Sequence, residues 1–250
     1  DMPSGATAPG ADDNASGTAA LIELAQWAND KKVEYKKHNF LFIAFSGEEL
    51  GLYGSKYFTE NPTVDLKSIS YMINMDMLGR LNDSTHNITI GGYGTSPTWG
   101  EIINEHDKFF KIKIDSSGSG PSDHTSFYRK DIPVLFFFTG THSDYHKPSD
   151  DANKINYKGI RSIVTYIQSI IATTDNKNKL VFTKTREANM GKSSFKVSMG
   201  IMPDYTFSGN GVLVDGVSEN RPAEKAGVKT GDVIIQLGEH KVSDVQTYMQ

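Results

Sequence analysis

The feature that most constrains the fold is a set of three largely apolar segments of strand length. Residues 40–45 and 133–138 are apolar at every position, and residues 69–75 are apolar except for Ser70 and Asn74. Uninterrupted apolar runs are typical of central parallel strands that are covered on both faces. We therefore expect these three segments to be strands of one buried sheet.

Segments with helical periodicity separate these runs. Apolar residues recur every three to four positions in 16–29 and in 154–172, and a shorter helix is predicted at 52–59. Strands that alternate with helices predict an α/β fold with a mostly parallel central sheet and helices on both faces. Ligands bind such sheets at the carboxyl ends of the strands, so the residues after each run are candidates for a functional site.

The composition of the chain changes after residue 174. Residues 175–194 are rich in Thr, Asn, Lys and Ser, which predicts a linker. Residues 195–250 contain short apolar runs, Gly-rich turns and a helix that begins at Pro222. We therefore expect one domain at 1–174 and a small β-rich domain at 195–250.

Composition also excludes several classes of protein and of site. A formal net charge of -4 gives no basic surface for nucleic acid. No apolar run is long enough to span a bilayer. Because the chain has no Cys, a zinc site would have to use His and carboxylate ligands.

Ionisable residues stand where the predicted sheet would place a site. Glu48 and Glu49 follow the first apolar run, and Asp76 follows the second. Asp13 precedes the first helix, and His146 follows the third run after a short loop. Carboxylates and a His that converge at strand ends are typical of a hydrolytic zinc centre. Of two adjacent Glu residues, one can bind metal while the other takes a proton from water.

Each of these residues also has an ordinary structural explanation. Paired acids at a helix start interact favourably with the helix dipole. An Asp after a strand often forms a turn, and a single His is more often hydrogen-bonded than metal-bound. Only the combination of these residues favours a metal site.

Five motifs that occur in order carry a family resemblance. They are PGADDNASG at 9–17, SGEELGLYGS at 46–55, NMDMLG at 74–79, SDH at 122–124 and YHKPSD at 145–150. Together they resemble the co-catalytic di-zinc aminopeptidases related to glutamate carboxypeptidase and the transferrin receptor, over roughly residues 1–174. The resemblance implies a three-layer zinc-exopeptidase fold that hydrolyses the N-terminal residue of peptide substrates.

For the metal centre, the resemblance implies two zinc ions. Asp13 would bridge them, and Glu49 and His146 would complete the protein ligands of one ion. Asp76 would serve the other ion. Relatives take a further ligand from a His-x-Asp motif upstream, and no His precedes Asp13. We expect this motif in a part of the protein that the chain lacks, because Asp1 is not a natural start, and we expect the fragment itself to be impaired.

For the chemistry, the resemblance implies that Glu48 is the general base and later protonates the leaving amine. Tyr145 would donate a hydrogen bond to the developing oxyanion. Residues 118–123 would line the pocket for the amino end of the substrate, with a structural role for Asp123. His124 and His142 are candidate neighbours of the site, but neither lies in the missing motif.

Residues 195–250 resemble a PDZ domain of the kind that accompanies bacterial proteases. Residues 199–202 would form the loop that receives a peptide carboxylate, and residues 221–227 and 231–234 match the usual helix and following strand. Such a module binds an extended peptide end at a sheet edge. The resembled fold continues beyond Gln250, so we expect an incomplete domain. The alternative for residues 195–250 is a generic β-rich packing domain. Export of the protein to the periplasm or cell surface is implied by the family resemblance alone.

Three other functions stay open at this point. A single-zinc enzyme of the glutaminyl cyclase kind would need only Asp13, Glu49 and His146. A carboxypeptidase would use the same metal core as an aminopeptidase. A non-catalytic, receptor-like peptide-binding protein would act through the PDZ-like domain, but converging carboxylates would repel one another without cations.

Overall fold

The computed structural model describes residues 9–30, 38–105, 109–185, 199–203, 209–217, 221–229, 231–243 and 245–248. The chain divides into a larger unit at 4–187 and a smaller unit made of residues 1–3 and 188–250. Among the helices in the described ranges, none combines the length and the hydropathy that crossing a bilayer requires.

A four-stranded sheet forms the centre of the larger unit. Its strands are β1 (Met72–Met75), β2 (Asn87–Gly91), β3 (Lys111–Ile114) and β4 (Val134–Phe138), in the order β1-β4-β2-β3. β1 pairs with β4 in parallel, β4 with β2 antiparallel, and β2 with β3 in parallel. The strands predicted at 69–75 and 133–138 are confirmed, and parallel pairing predominates as expected.

Helices lie on both faces of this sheet. In the described part of the larger unit they are α1 (Gly17–Asn29), α2 (Tyr53–Glu60), α3 (Pro97–Glu105), α4 (His124–Tyr128) and α5 (Tyr157–Asp175). α5 packs against α1 and α3, whereas α2 packs against α4, which contacts β1 and β4. The helices predicted at 16–29, 52–59 and 154–172 are confirmed within a few residues at each end.

The side chains of β4 alternate between two apolar cores. Leu135 and Phe137 are fully buried in the core that contains residues of α1, α3 and α5. Val134 is buried in a second core with Phe127 and Tyr128 of α4. Successive strand residues point to opposite faces of a sheet, so a strand covered on both faces must be apolar throughout. The predicted three-layer α/β architecture is therefore confirmed.

Replacing Phe137 with alanine should destabilise the larger unit by about 3–5 kcal/mol. Phe137 is fully buried, so removing its ring would leave a cavity in the core. Urea unfolding followed by tryptophan fluorescence measures this loss, since both tryptophans, Trp27 and Trp99, lie in the larger unit. Tyr57→Ala is the control, because Tyr57 is 69% exposed and should change stability by about 0.5 kcal/mol or less. Equal effects of the two substitutions would contradict this assignment of the core.

The strand predicted at residues 40–45 is wrong. These residues pair with no strand in the described part of the chain, and Leu41 is 54% exposed. Phe40 and Phe45, at the two ends of the run, pack on the two separate cores. Residues 43–45 and 72–75 line one cavity of about 280 Å³, so open space lies where a ladder between this run and β1 would have to form.

The chain after α5 packs on the larger unit over residues 180–185. Leu180 is buried in the main core, and the Thr183 N–H donates to the carbonyl of Thr95 at 2.8 Å. The Thr185 N–H donates to the hydroxyl of Tyr128 at 3.1 Å. The first half of the predicted linker at 175–194 is therefore attached to the larger unit, and residues 186–194 lie outside the described ranges.

The smaller unit is β-rich in its described residues, as expected. β5 (Ile201–Pro203), β6 (Val212–Val217) and β7 (Val233–Ile234) form an antiparallel sheet in that order. β8 (Gln236–Leu237) pairs with β9 (His240–Lys241). The helix α6 (Pro222–Lys225) begins at the predicted proline, and α7 (Val245–Tyr248) follows the strands.

Candidate metal centre

Three predicted metal ligands come together in the larger unit. His146 Nε2 lies 3.1 Å from Asp13 Oδ2 and 3.0 Å from Glu49 Oε1. The three ligand atoms all lie within 4.8 Å of one another. An imidazole nitrogen carries at most one hydrogen, so it cannot donate fully to two carboxylates at once. A cation at this point would satisfy all three groups, and one His with two carboxylates is a donor set that suits Zn²⁺.

Glu48 and Asp76 line the same cavity as Asp13 and Glu49. Burial, followed by the charge of Glu49, raises the pKa of Glu48 to about 8. Burial also raises the pKa of Asp76 to about 7, against the opposing effect of a hydrogen bond from Ser122. Both shifts reflect negative charge that is crowded into a poorly solvated space, which bound cations would relieve.

A chain of hydrogen bonds holds the carboxylate of Asp76 at the end of β1. The Ser122 hydroxyl donates to Asp76 Oδ2 at 2.8 Å. The Asn74 side-chain amide in turn donates to that hydroxyl at 2.7 Å. Ser122 therefore has its own hydrogen committed to Asp76, which fixes the orientation of the carboxylate. Of the predicted pocket loop at 118–123, Ser122 and Asp123 line the cavity.

Tyr145 stands beside the three ligand residues. Its ring stacks on His146 with 3.7 Å between ring centroids. Burial raises the pKa of Tyr145, and the nearby charges of Glu49 and Asp13 add to the effect. Tyr145 therefore keeps its proton at neutral pH and can act as a hydrogen-bond donor.

His142 and His124 do not join the ligand cluster. His142 Nδ1 accepts the N–H of Asp144 at 3.2 Å, so Nε2 carries the hydrogen and donates to Asp12 Oδ2 at 3.0 Å. Both ring nitrogens of His142 are thus in use. His124 is buried against Phe136, with 4.5 Å between ring centroids, and burial lowers its pKa to about 3. Neither residue takes the place of the upstream His that the family pattern includes.

Sequence reasoning missed the residues that hold the Asp13 loop in place. The fully buried carboxylate of Asp12 accepts hydrogen bonds from the Gly79 N–H and the Ser16 hydroxyl. That hydroxyl also accepts the N–H of Leu78 at 2.9 Å. These contacts fasten the loop before α1 to the turn after β1. The sequence signal for these supporting residues is that Asp12 and Ser16 lie in the same short motif, at 9–17, as the predicted ligand Asp13.

The fold and this cluster together have the architecture of a zinc exopeptidase. Residues 2–171 match the model of peptidase family M28, and the chain belongs to that family. Residues 171–250 match the model of the PDZ domain. The family resemblance carried by the five ordered motifs is therefore confirmed.

The most similar relatives include bacterial enzymes. Leupeptin-inactivating enzyme 1 of Streptomyces exfoliatus is 34% identical over 148 residues, which cover 58% of this chain and 32% of the relative. Aminopeptidase YwaD of Bacillus subtilis (strain 168) is 26% identical over 185 residues, 68% of this chain and 39% of the relative. The solved aminopeptidase from Aneurinibacillus sp. strain AM-1 has a TM-score of 0.53 and 25% identity, covering 71% of this chain and 41% of that chain. The chain therefore spans less than half the length of each of these relatives.

Proposed function

We propose that this chain carries the catalytic centre of a zinc-dependent aminopeptidase, with Glu48 as the general base. The convergence of Asp13, Glu49 and His146 beside Glu48 is the observation that carries the proposal. Membership of peptidase family M28 and similarity to proteins named aminopeptidase support it.

The chemistry of the donor set fits zinc. Asp13, Glu49 and His146 would hold one ion, and Asp13 with Asp76 would hold a second. When bound, zinc supplies a Lewis acid for the scissile carbonyl and makes a water molecule more acidic. Asp13 and Asp76 are half-buried, which strengthens their attraction for a cation, whereas Glu49 is exposed.

The side chains around the cluster would perform the proton transfers. Glu48 would remove a proton from the attacking water as the water oxygen bonds to the carbonyl carbon. Glu48 would then give that proton to the amine nitrogen as the carbon–nitrogen bond breaks. Glu48 can do this because it lines the cavity beside the cluster without being one of the three clustered ligands. Tyr145, which keeps its proton, would donate to the oxyanion of the tetrahedral intermediate.

We expect the complete natural protein, loaded with zinc, to cleave aminoacyl p-nitroanilides but not their N-acetylated forms. The carboxylates that line the cavity favour a substrate that presents a positively charged amino end. Release of p-nitroaniline measures the activity, which should disappear with a chelator and return with added zinc. Cleavage of the acetylated substrates alone would contradict an aminopeptidase, and release of C-terminal residues from blocked peptides would indicate a carboxypeptidase.

A single-zinc cyclase is the second candidate function. The observation that favours it is that Asp13, Glu49 and His146 form a complete three-ligand set without Asp76. Zinc stoichiometry separates the two functions, because the aminopeptidase requires two ions for each chain and the cyclase requires one. Ammonia release from a peptide with N-terminal glutamine is the direct assay for the cyclase.

The smaller unit supports a proposal of peptide binding. Among the described strands of its sheet, β5 lies at the edge, and it begins at Ile201, within the predicted carboxylate loop at 199–202. Gly200 in this loop has a φ of +80°, a conformation that favours glycine. An extended peptide C-terminus adding to the free edge of β5 is the binding mode that we propose. Export of the protein rests on family resemblance and stays a prediction.

A further inference from the structure

Asp150 contacts the backbone of the loop that presents Asp13. Its Oδ2 atom accepts the N–H of Asp12 at 2.8 Å and the N–H of Asp13 at 3.0 Å. Its main-chain carbonyl accepts the N–H of Ala11 at 3.0 Å. One residue thus binds three consecutive N–H groups, so the position of Asp13 depends on the position of Asp150.

The other carboxylate oxygen of Asp150 is also occupied. Oδ1 accepts a hydrogen bond from Arg80 Nη2 at 3.2 Å, and the Asp150 side chain is only 2% exposed. Arg80 follows the turn after β1, and its Nη2 also binds Asp144 Oδ2 at 3.2 Å. A buried carboxylate that accepts two backbone N–H groups and one guanidinium has little freedom to move.

Asp150 also belongs to the turn that carries His146. The two residues are four positions apart, and the Asp150 N–H donates to the carbonyl of Lys147 at 3.0 Å. Asp150 therefore connects two loops that are distant in sequence and that each bear one ligand of the cluster. His146 Nε2 and Asp13 Oδ2 face each other at 3.1 Å across this connection.

We infer that Asp150 is a positioning residue that sets the distance between Asp13 and His146 and thereby the affinity for zinc. The inference rests on the proposed function, since it assumes that these two residues bind the metal. Residues that orient metal ligands through hydrogen bonds typically change metal affinity by about 10–100-fold when they are mutated. Asp150 does not bind the metal itself in this arrangement, because both of its oxygens are committed elsewhere.

The substitution Asp150→Asn tests the inference with little change in shape. An amide has one oxygen, so it can face either the two backbone N–H groups or Arg80, and its NH₂ group then opposes donors on the other side. The neighbouring Asp151→Asn is the matched control, because it removes the same charge from an exposed side chain one position away. Zinc affinity is measured by competition with a chromogenic chelator, and ligand geometry by the visible spectrum of the cobalt-substituted protein.

We expect Asp150→Asn to bind zinc about 10–100-fold more weakly and to shift the cobalt spectrum, with Asp151→Asn unchanged in both. Circular dichroism of the metal-free proteins shows whether each variant is folded. If Asp150→Asn does not fold, Asp150→Glu decides in the same way, because it keeps the charge but displaces the oxygens. Zinc affinity and cobalt spectrum equal to wild type in a folded variant would overturn the inference alone. Absence of zinc binding by the wild-type protein would overturn the proposed function and this inference with it.

Discussion

Glu48→Gln should lower kcat for aminoacyl substrates by about two to four orders of magnitude, the range that general acid–base catalysis contributes. Glutamine keeps the size of the side chain but cannot accept a proton from water. Glu48 is partly buried and lines the cavity beside Asp13, Glu49 and Asp76 without belonging to the three-residue ligand cluster, so its carboxylate is the one we propose for the transfer. Steady-state kinetics of the zinc-loaded variant measure the effect.

Zinc content distinguishes a lost base from a lost ligand in this variant. Glu48 is not a member of the cluster formed by Asp13, Glu49 and His146, so Glu48→Gln should retain its zinc. Glu60→Gln is the control, because Glu60 is exposed at the end of α2 and its substitution should leave kcat unchanged. An active Glu48→Gln variant would show that another group takes the proton. Loss of zinc together with activity would instead make Glu48 a ligand.

The long elements of the fold were predictable because their patterns extend over many residues. α5 repeats buried positions at helical spacing, with Ile160, Ile163, Ile167 and Ile170 all in the main core. β4 is apolar throughout because it is covered on both faces. In such segments, the spacing of the apolar residues indicates both the type of secondary structure and which of its faces are buried.

The run at 40–45 shows what an apolar pattern leaves undetermined. A continuous apolar run predicts that its side chains are buried. It does not identify the neighbouring strand whose backbone would form the hydrogen bonds of a ladder with it. In the described chain, Phe40 and Phe45 find apolar contacts while the residues between them remain without a strand partner. Strand pairing is a property of two segments, so the apolar pattern of each segment alone does not determine whether they pair.

The site shows a similar division between what the sequence predicts and what it omits. Asp13, Glu49 and His146 were predicted from motifs, and the structure brings them together, although Glu49 and His146 are 97 positions apart. The supporting contacts were not predictable, because Asp150 reaches Asp12 across 138 positions. Hydrogen bonds of this kind leave no local periodicity. Their only trace is that the supporting residues lie inside the same short motifs as the ligands.

His146→Ala should have the largest effect on metal binding, with zinc affinity reduced by more than about 100-fold. The reason is that mutating residues that merely support a metal ligand already costs about 10–100-fold. His146 also supplies the only nitrogen of the three-residue cluster, so its loss leaves two carboxylates that face each other without a neutral ligand between them. Equilibrium dialysis against buffered zinc measures the affinity, and activity should fall with zinc occupancy.

His240→Ala is the control for this substitution, because His240 is exposed in the smaller unit and its loss should leave zinc affinity unchanged. Comparing the zinc affinities of His146→Ala and His142→Ala is a stricter test of the ligand assignment. His142 uses both ring nitrogens in hydrogen bonds, so its substitution should weaken zinc binding less than that of His146. If His142→Ala abolished binding and His146→Ala did not, the metal would lie beside Asp12 and the assignment of the ligand cluster would be wrong. Because Asp12 and Asp13 are adjacent, this pair of variants decides which of the two carboxylates faces the metal.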